Sequence, residues 1–196
     1  MTFRERVAGI LAERRPNQEV PAGYRRAAVL LPLYDTTAGP HVILTKRTHL
    51  VPTHKGQISF PGGGFQEEDR DLLATALRES AEEIGLRPED VCVVGILDDV
   101  STAASSNAVR PFVGFVPHPY PFQLDVFEIE CVIHLPLAPL LERDHFREEV
   151  WDRNGRPHSV YFYEYGEHTI WGLTARILRQ FVEVVGISQG GMGSTG

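Results

Sequence analysis

Two cysteines in 196 residues leave no material for a disulfide framework or a four-ligand zinc site. Cys92 and Cys131 sit far apart in the strand-like runs VCVVGIL and IECVIHL, and read as buried thiols in a reducing compartment. No run approaches the roughly 20 apolar residues that a membrane span needs. MTFRERVAGILAERR is amphipathic but lacks the apolar centre of a signal peptide, so a cytoplasmic location is expected. Positive charge is also short. With 19 Lys and Arg against 26 Asp and Glu, the net charge of −7 argues against generic binding to nucleic acid or an anionic membrane. It leaves room for a small phosphorylated ligand, because a few arginines, lysines or metal ions reverse the sign locally. Disorder is excluded by composition: 42% hydrophobic and 23% charged residues are ordinary for a globular chain, and the length suits one domain over residues 1–196.

What is present alternates between strand and helix patterns. Phe3, Val7, Ile10 and Leu11 predict a short amphipathic helix over residues 2–15, broken by RPNQEVPAG. RAAVLLPLY and PHVILTKRT predict two strands joined by DTTAG; QISF, VCVVGILDDV and VRPFVGFVP predict three more. VPHPYPF is too rich in proline for a central strand. IECVIHLPLAPLLE reads as strand, turn and short helix, and SVYFYEY with HTIWGL as a final strand pair. TARILRQFVEVVG reads as a closing helix and residues 187–196 as a flexible tail. The order predicts an α/β (α+β) class with a mixed sheet between helices.

The middle of the chain, GGGFQEEDRDLLATALRESAEEIGL (62–86), predicts a charged helix. Asp69 or Asp71 suits its N-cap and Gly85 its left-handed stop, with Leu73, Leu77, Ser80 and Ile84 as the packed face. Glu79 and Glu83 lie four apart with Glu82 beside them, a spacing at which like charges repel. A solvated helix face tolerates such a cluster. The same pitch also holds hard divalent cations such as Mg²⁺ or Mn²⁺, which take oxygen ligands. The preceding PGGG allows a sharp turn and a close backbone approach to a ligand. No GK[ST] follows the glycines, which excludes a P-loop, and the alternating ligands of an EF-hand are missing.

This stretch resembles the Nudix box: G, five residues, E, seven residues, then R-E-U-x-E-E-x-G-U, with U a bulky aliphatic. Gly64, Arg78, Glu79, Glu82, Glu83, Gly85 and Leu86 match in register. Arg70 stands in the slot of the first glutamate, with Asp69 as its candidate replacement, and Ser80 in an aliphatic slot. Upstream, ILTKRTHLVPTHKGQISFPGG (43–63) is similar to the segment before the box in the coenzyme A pyrophosphatase branch of Nudix hydrolases. Thr45, Arg47, Gly56, Phe60, Pro61, Gly62 and Gly63 fit; Thr48 replaces a Ser or Ala, and Pro52 an arginine.

The resemblance implies a Nudix-type α/β/α sandwich that hydrolyses the diphosphate of coenzyme A with Mg²⁺ or Mn²⁺. It implies a small-molecule CoA-type substrate as partner, no nucleic acid, no membrane, and a homodimer as a possible assembly. Glu79 and Glu83 are expected as metal ligands, Glu82 as ligand or base, and Arg78 as the residue that orients the glutamates. Lys46, Arg47, His54, Lys55, Gly62 and Gly63 are expected at the substrate, against the plainer readings of edge-strand cations and a solvated loop. Glu148 and Glu149 of HFREEVW offer either a late carboxylate or an acidic helix end, and His134 reads as a hydrogen-bonded core histidine. Two alternatives stay open: a Nudix enzyme for another diphosphate, such as ADP-ribose or a dinucleotide, and a non-catalytic Nudix-fold binding module. A binding module has no reason to keep three mutually repelling glutamates.

Overall fold

The computed structural model describes residues 1–50, 55–102, 106–141, 146–153 and 155–186. Its centre is strand β1 (Arg25–Thr36), which is apolar on both faces. Ala28, Leu30 and Tyr34 enter one apolar cluster, while Ala27, Leu31 and Leu33 enter another on the opposite side. A strand buried on both faces has to lie inside a sheet covered by two layers. β1 pairs antiparallel with β2 (Gly39–Arg47) and parallel with β7 (Asn107–Phe115), so the sheet is mixed. β3 (Ile58–Ser59) and β8 (Ile129–Pro136) pair with β2, β4 (Gly62–Gly64) with β1, and β5 (Cys92–Ile96) and β6 (Val100–Thr102) with β7.

Helix α2 (Leu72–Ile84) covers one face, placing Leu72, Ala76 and Ile84 against Leu30 and Ile43. Helices α1 (Phe3–Glu13) and α3 (Gly172–Val184) supply Val7, Leu11, Ile177 and Phe181 to the other face, giving the expected α/β/α layers. α1 is shorter than residues 2–15 because Thr2 forms a capping box with Glu5, and because the chain is already extended at Arg14, ahead of Pro16. Among the described residues no helix is long and apolar enough to cross a membrane.

Several local expectations are corrected. Residues 146–151 of HFREEVW are no helix end; they belong to β9 (Phe146–Arg153), the third member of a separate sheet with β10 (Arg156–Tyr165) and β11 (His168–Trp171). Its alternation explains this. Phe146 faces Tyr161 and Tyr163 under α3, while Trp151 packs with Phe162 and Trp171 on the outside. PGGG makes a ladder with β1 rather than a turn, pairing Val29 with Gly62 and Ala27 with Gly64. β2 is an internal strand, so Lys46 and Arg47 are not edge-strand cations. Cys92 is exposed and accepts from Arg4 Nη2 at 2.7 Å, and Cys131 is half-buried. His134 lies at the surface, its Nδ1 2.8 Å from the Tyr34 hydroxyl. Along α2 the deepest residues are Leu72, Thr75, Ala76, Ser80, Glu83 and Ile84; Leu73 and Leu77 are half-buried flanks. The tail at 187–196 lies outside the described residues.

Candidate active site

The ends of α2 are set by short-range chemistry. Asp71, not Asp69, is the N-cap, its Oδ1 accepting from Ala74 N at 2.8 Å. Gly85 ends the helix at φ +66°. Two carbonyls left over in the last turn are taken by the segment that follows β7: Gln123 N donates to Ile84 O and Asp125 N to Glu83 O, both at 3.0 Å. Ser80 sits buried in its aliphatic slot because its hydroxyl donates to Ala76 O at 2.7 Å, one turn back.

All five N–H donors of Arg78 are engaged. Nε and Nη2 grip Asp69 at 2.9 and 3.1 Å, Nη1 reaches Glu79 and Glu82 at 2.9 Å each, and Nη2 also donates to Gly64 O at 3.3 Å. Asp69 is buried and further held by Gln66 N at 3.0 Å and the Thr75 hydroxyl at 2.8 Å. The bonds from Arg78 keep its carboxyl far below the usual range. Arg70, by contrast, is 85% exposed in its side chain and reaches only Asp71. Asp69 therefore stands where support for the glutamates is needed, and Arg70 does not.

The glycine strand lies directly against the two inner glutamates. Gly62 N donates to Glu83 Oε2 at 3.2 Å. A Cβ on Gly63 would fall 2.4 Å from the Glu79 carboxyl carbon, so only glycine lets that carboxylate pass. The close approach expected for a ligand is thus made first by the protein's own carboxylates. Glu83 is 4% exposed, and burial pushes its pKa up to about 8, against the opposing bond from Gly62. Burial also raises Glu79, partly offset by Arg78.

Arg47 closes the other side. Nη1 lies 3.3 Å from Glu83 Oε1 and Nη2 lies 3.3 Å from Glu128 Oε2. Glu128 is a carboxylate that sequence reasoning missed, since nothing local marks it; its link to the site is made through Arg47, 81 residues away. Thr48 explains how it is placed: the hydroxyl donates to Phe127 O at 2.6 Å and Thr48 N to Glu128 O at 2.8 Å. Lys46, the preceding residue, goes to Glu130 at 2.8 Å and is not brought to the box. Lys55 is exposed beside β3, and His54 lies outside the described residues. Glu148 and Glu149 find their partners on the second sheet and α3, with Glu148 3.6 Å from Arg179 and Glu149 bonded to Trp151 and Arg147.

A family model described as NUDIX domain matches residues 23–125. An uncharacterized Nudix hydrolase NudL from Cronobacter sakazakii is 36% identical over 162 residues, 83% of this chain and 83% of that one. The chain belongs to the Nudix hydrolase family. A NudL from Photorhabdus laumondii is 35% identical over 170 residues, 87% of this chain and 90% of its own. Among solved structures, a MutT/nudix family protein from Enterococcus faecalis superposes with a TM-score of 0.55 at 16% identity, covering 95% of this chain and 70% of the other. An Ap4A hydrolase from C. elegans gives 0.50 at 17% identity, covering 60% and 83%. At such identities these two show a shared fold.

Nudix hydrolases generally use divalent metal ions, and the donor set here suits one. The groups are carboxylate oxygens, the choice of hard cations, and the bare Gly63 leaves a cradle for Glu79 that a Cβ would fill. Among the described residues no three such groups converge as they stand. Arg78 holds Glu79 and Glu82, and Arg47 holds Glu83.

Proposed function

We propose that this Nudix hydrolase splits the diphosphate bond of coenzyme A and its derivatives, giving 3′,5′-ADP and 4′-phosphopantetheine. The observation that carries the reading is the contact of Arg47 with Glu83. Arg47 belongs to the 43–63 segment whose pattern is similar to the coenzyme A branch, and Arg47, Gly62 and Gly63 of that segment border the carboxylates.

Glu79 and Glu83 would hold the divalent ion, with Glu82 as a further ligand or as base. When bound, the ion neutralises the diphosphate and acidifies a coordinated water. The chain's own residues do the positioning. Asp69 anchors Arg78, and Arg78 holds Glu79 and Glu82 at fixed spacing. Gly62 N fixes one oxygen of Glu83. Water adds to one phosphorus, the bridging P–O bond breaks, and a carboxylate takes the proton, so charge stabilisation supplies most of the rate.

The test is kcat/KM for coenzyme A, dephospho-CoA and ADP-ribose with Mg²⁺, products resolved by chromatography. Coenzyme A is expected to be the best of the three. Its advantage over dephospho-CoA should stay within about tenfold, as for a 3′-phosphate met at a wet rim. Lys46 is already neutralised by Glu130, which leaves fewer cations for that phosphate. ADP-ribose as the best substrate overturns the coenzyme A reading and leaves the family assignment intact.

A further inference from the structure

Two arginines stand among the site's carboxylates, and they are bound differently. Arg78 has every donor taken, with four of its five contacts at 2.9–3.1 Å. Arg47 makes two contacts, both at 3.3 Å, long for a charge-assisted bond. Its Nε is buried and finds no partner among the described residues. The first arginine is a fixed brace. The second is held loosely enough to exchange.

Glu83 has little else. Gly62 N takes Oε2, and Arg47 takes Oε1. A divalent ion on Glu83 needs those same oxygens, and a doubly charged ion beside a guanidinium a few ångströms away is strongly repelled. The ion and Arg47 therefore compete for Oε1, the repulsion between their charges favouring one at a time. Leaving Glu83 does not expel Arg47 from the site, because Glu128 still holds Nη2 from a turn that Thr48 pins in place. The released Nη1 is then a charged donor free to meet a phosphate oxygen, while Nη2 stays on Glu128.

Resting on the reading that Glu83 is a metal ligand, we propose that Arg47 is a positioning residue with two stations. Without metal it is the counter-ion of Glu83; with metal it is displaced, pivoting on Glu128, onto the diphosphate of the substrate. The device makes the Nη1 donor available to phosphate only once the ion has arrived.

The prediction has opposite signs for the two ligands, which a merely structural arginine would not give. Mg²⁺ binding is measured by isothermal titration calorimetry at pH 9, where protons compete little for the carboxylates, and kcat/KM is measured at saturating Mg²⁺. Arg47→Ala should bind Mg²⁺ about tenfold more tightly, its competitor gone. Its kcat/KM should fall about a hundredfold, the diphosphate having lost a desolvated cation. Arg47→Lys should return Mg²⁺ affinity to near the wild-type value and recover part of kcat/KM. Should the alanine variant not fold, Arg47→Gln, long but uncharged, is held to the same outcomes. Mg²⁺ affinity that is unchanged or weaker in the neutral variants overturns the proposal. Wild-type protein that takes up no Mg²⁺, with Glu83→Gln indistinguishable from it, overturns the metal reading itself.

Discussion

Asp69 and Arg70 are adjacent in sequence and opposite in consequence. The motif reserves position 70 for an acid, yet the acid that serves Arg78 comes from position 69, buried and carrying four hydrogen bonds. One residue of offset is enough because this segment precedes the helix, where the backbone is not bound to helical spacing. Asp69→Asn leaves the Arg78 fork without its anion. Breaking a largely buried ion pair costs about 3–5 kcal/mol, and Glu79 and Glu82 lose their brace as well. A fall in denaturation midpoint together with slower turnover is therefore expected for Asp69→Asn. Arg70→Ala should stay within about 0.5 kcal/mol of wild type, as exposed substitutions do, with unchanged kcat. Equal small effects at both positions would show that neither supports the site.

At the scale of elements, the short strand β4 is what joins the sheet to the glutamate-bearing helix α2, and its glycines are needed for different reasons. At Gly62, φ is +151° and a Cβ would lie 2.3 Å from Ala28 O, a backbone atom of β1 that cannot yield. At Gly63 the Cβ would meet the Glu79 carboxylate, the far end of a flexible side chain. Gly62→Ala should therefore cost about 3 kcal/mol or more through backbone strain and clash. Gly63→Ala should leave the fold nearly as stable, because Glu79 can swing away. It should lower kcat at least about tenfold, since a misplaced catalytic group is costly even at 1 Å. Urea titrations paired with rate measurements separate the two. A Gly63→Ala enzyme with wild-type kcat would remove Glu79 from the site. The segment after β7 is the complementary element: it closes the end of α2 at Gly85 and presents Glu128 to Arg47.

On the scale of the whole molecule, an acidic chain has concentrated carboxylates where burial disfavours their charge. Glu83 titrates near 4.5 when unfolded and is pushed up to about 8 when folded. The folded state thus binds this proton more tightly, and the group's contribution is complete below pH 4.5 and lost as pH rises through 8. At 1.36 kcal/mol per unit the loss is at most about 5 kcal/mol. Asp69 has the opposite sign, but its contribution is lost only in acid, below its ordinary 3.8, so it does not cancel Glu83 at neutral pH. Metal-free protein should accordingly be less stable at pH 8.5 than at pH 5.5. Mg²⁺ at a hundred times its Kd should add about 2.7 kcal/mol, or about 5–10 °C in Tm for a chain of this size. Thermal melts at the two pH values, with chelator or Mg²⁺, check both. A Tm that rises with pH in the chelated protein contradicts the assignment of Glu83.

The sequence by itself determined what depends on residue type at fixed spacing. The period of the apolar residues set the α/β class and most of the strands, and the glutamate pitch with its glycine stop marked the helix that carries the carboxylate cluster. Those signals are local, and local propensity writes them into adjacent residues. Tertiary structure alone decided which distant groups meet. Arg47 reaches Glu83 across 36 residues and Glu128 across 81, and no spacing rule links them. It also made FREEVW a strand, because β10 offered a ladder and Phe146 packs on Tyr161, Tyr163 and the Arg179 guanidinium of α3. Of the adjacent cations Lys46 and Arg47, it sent one to Glu130 and the other to the carboxylates, since successive side chains on a strand project to opposite sides. Pairing across a sheet is a choice among partners far apart in the chain, and it is made by burial and charge once the chain has folded.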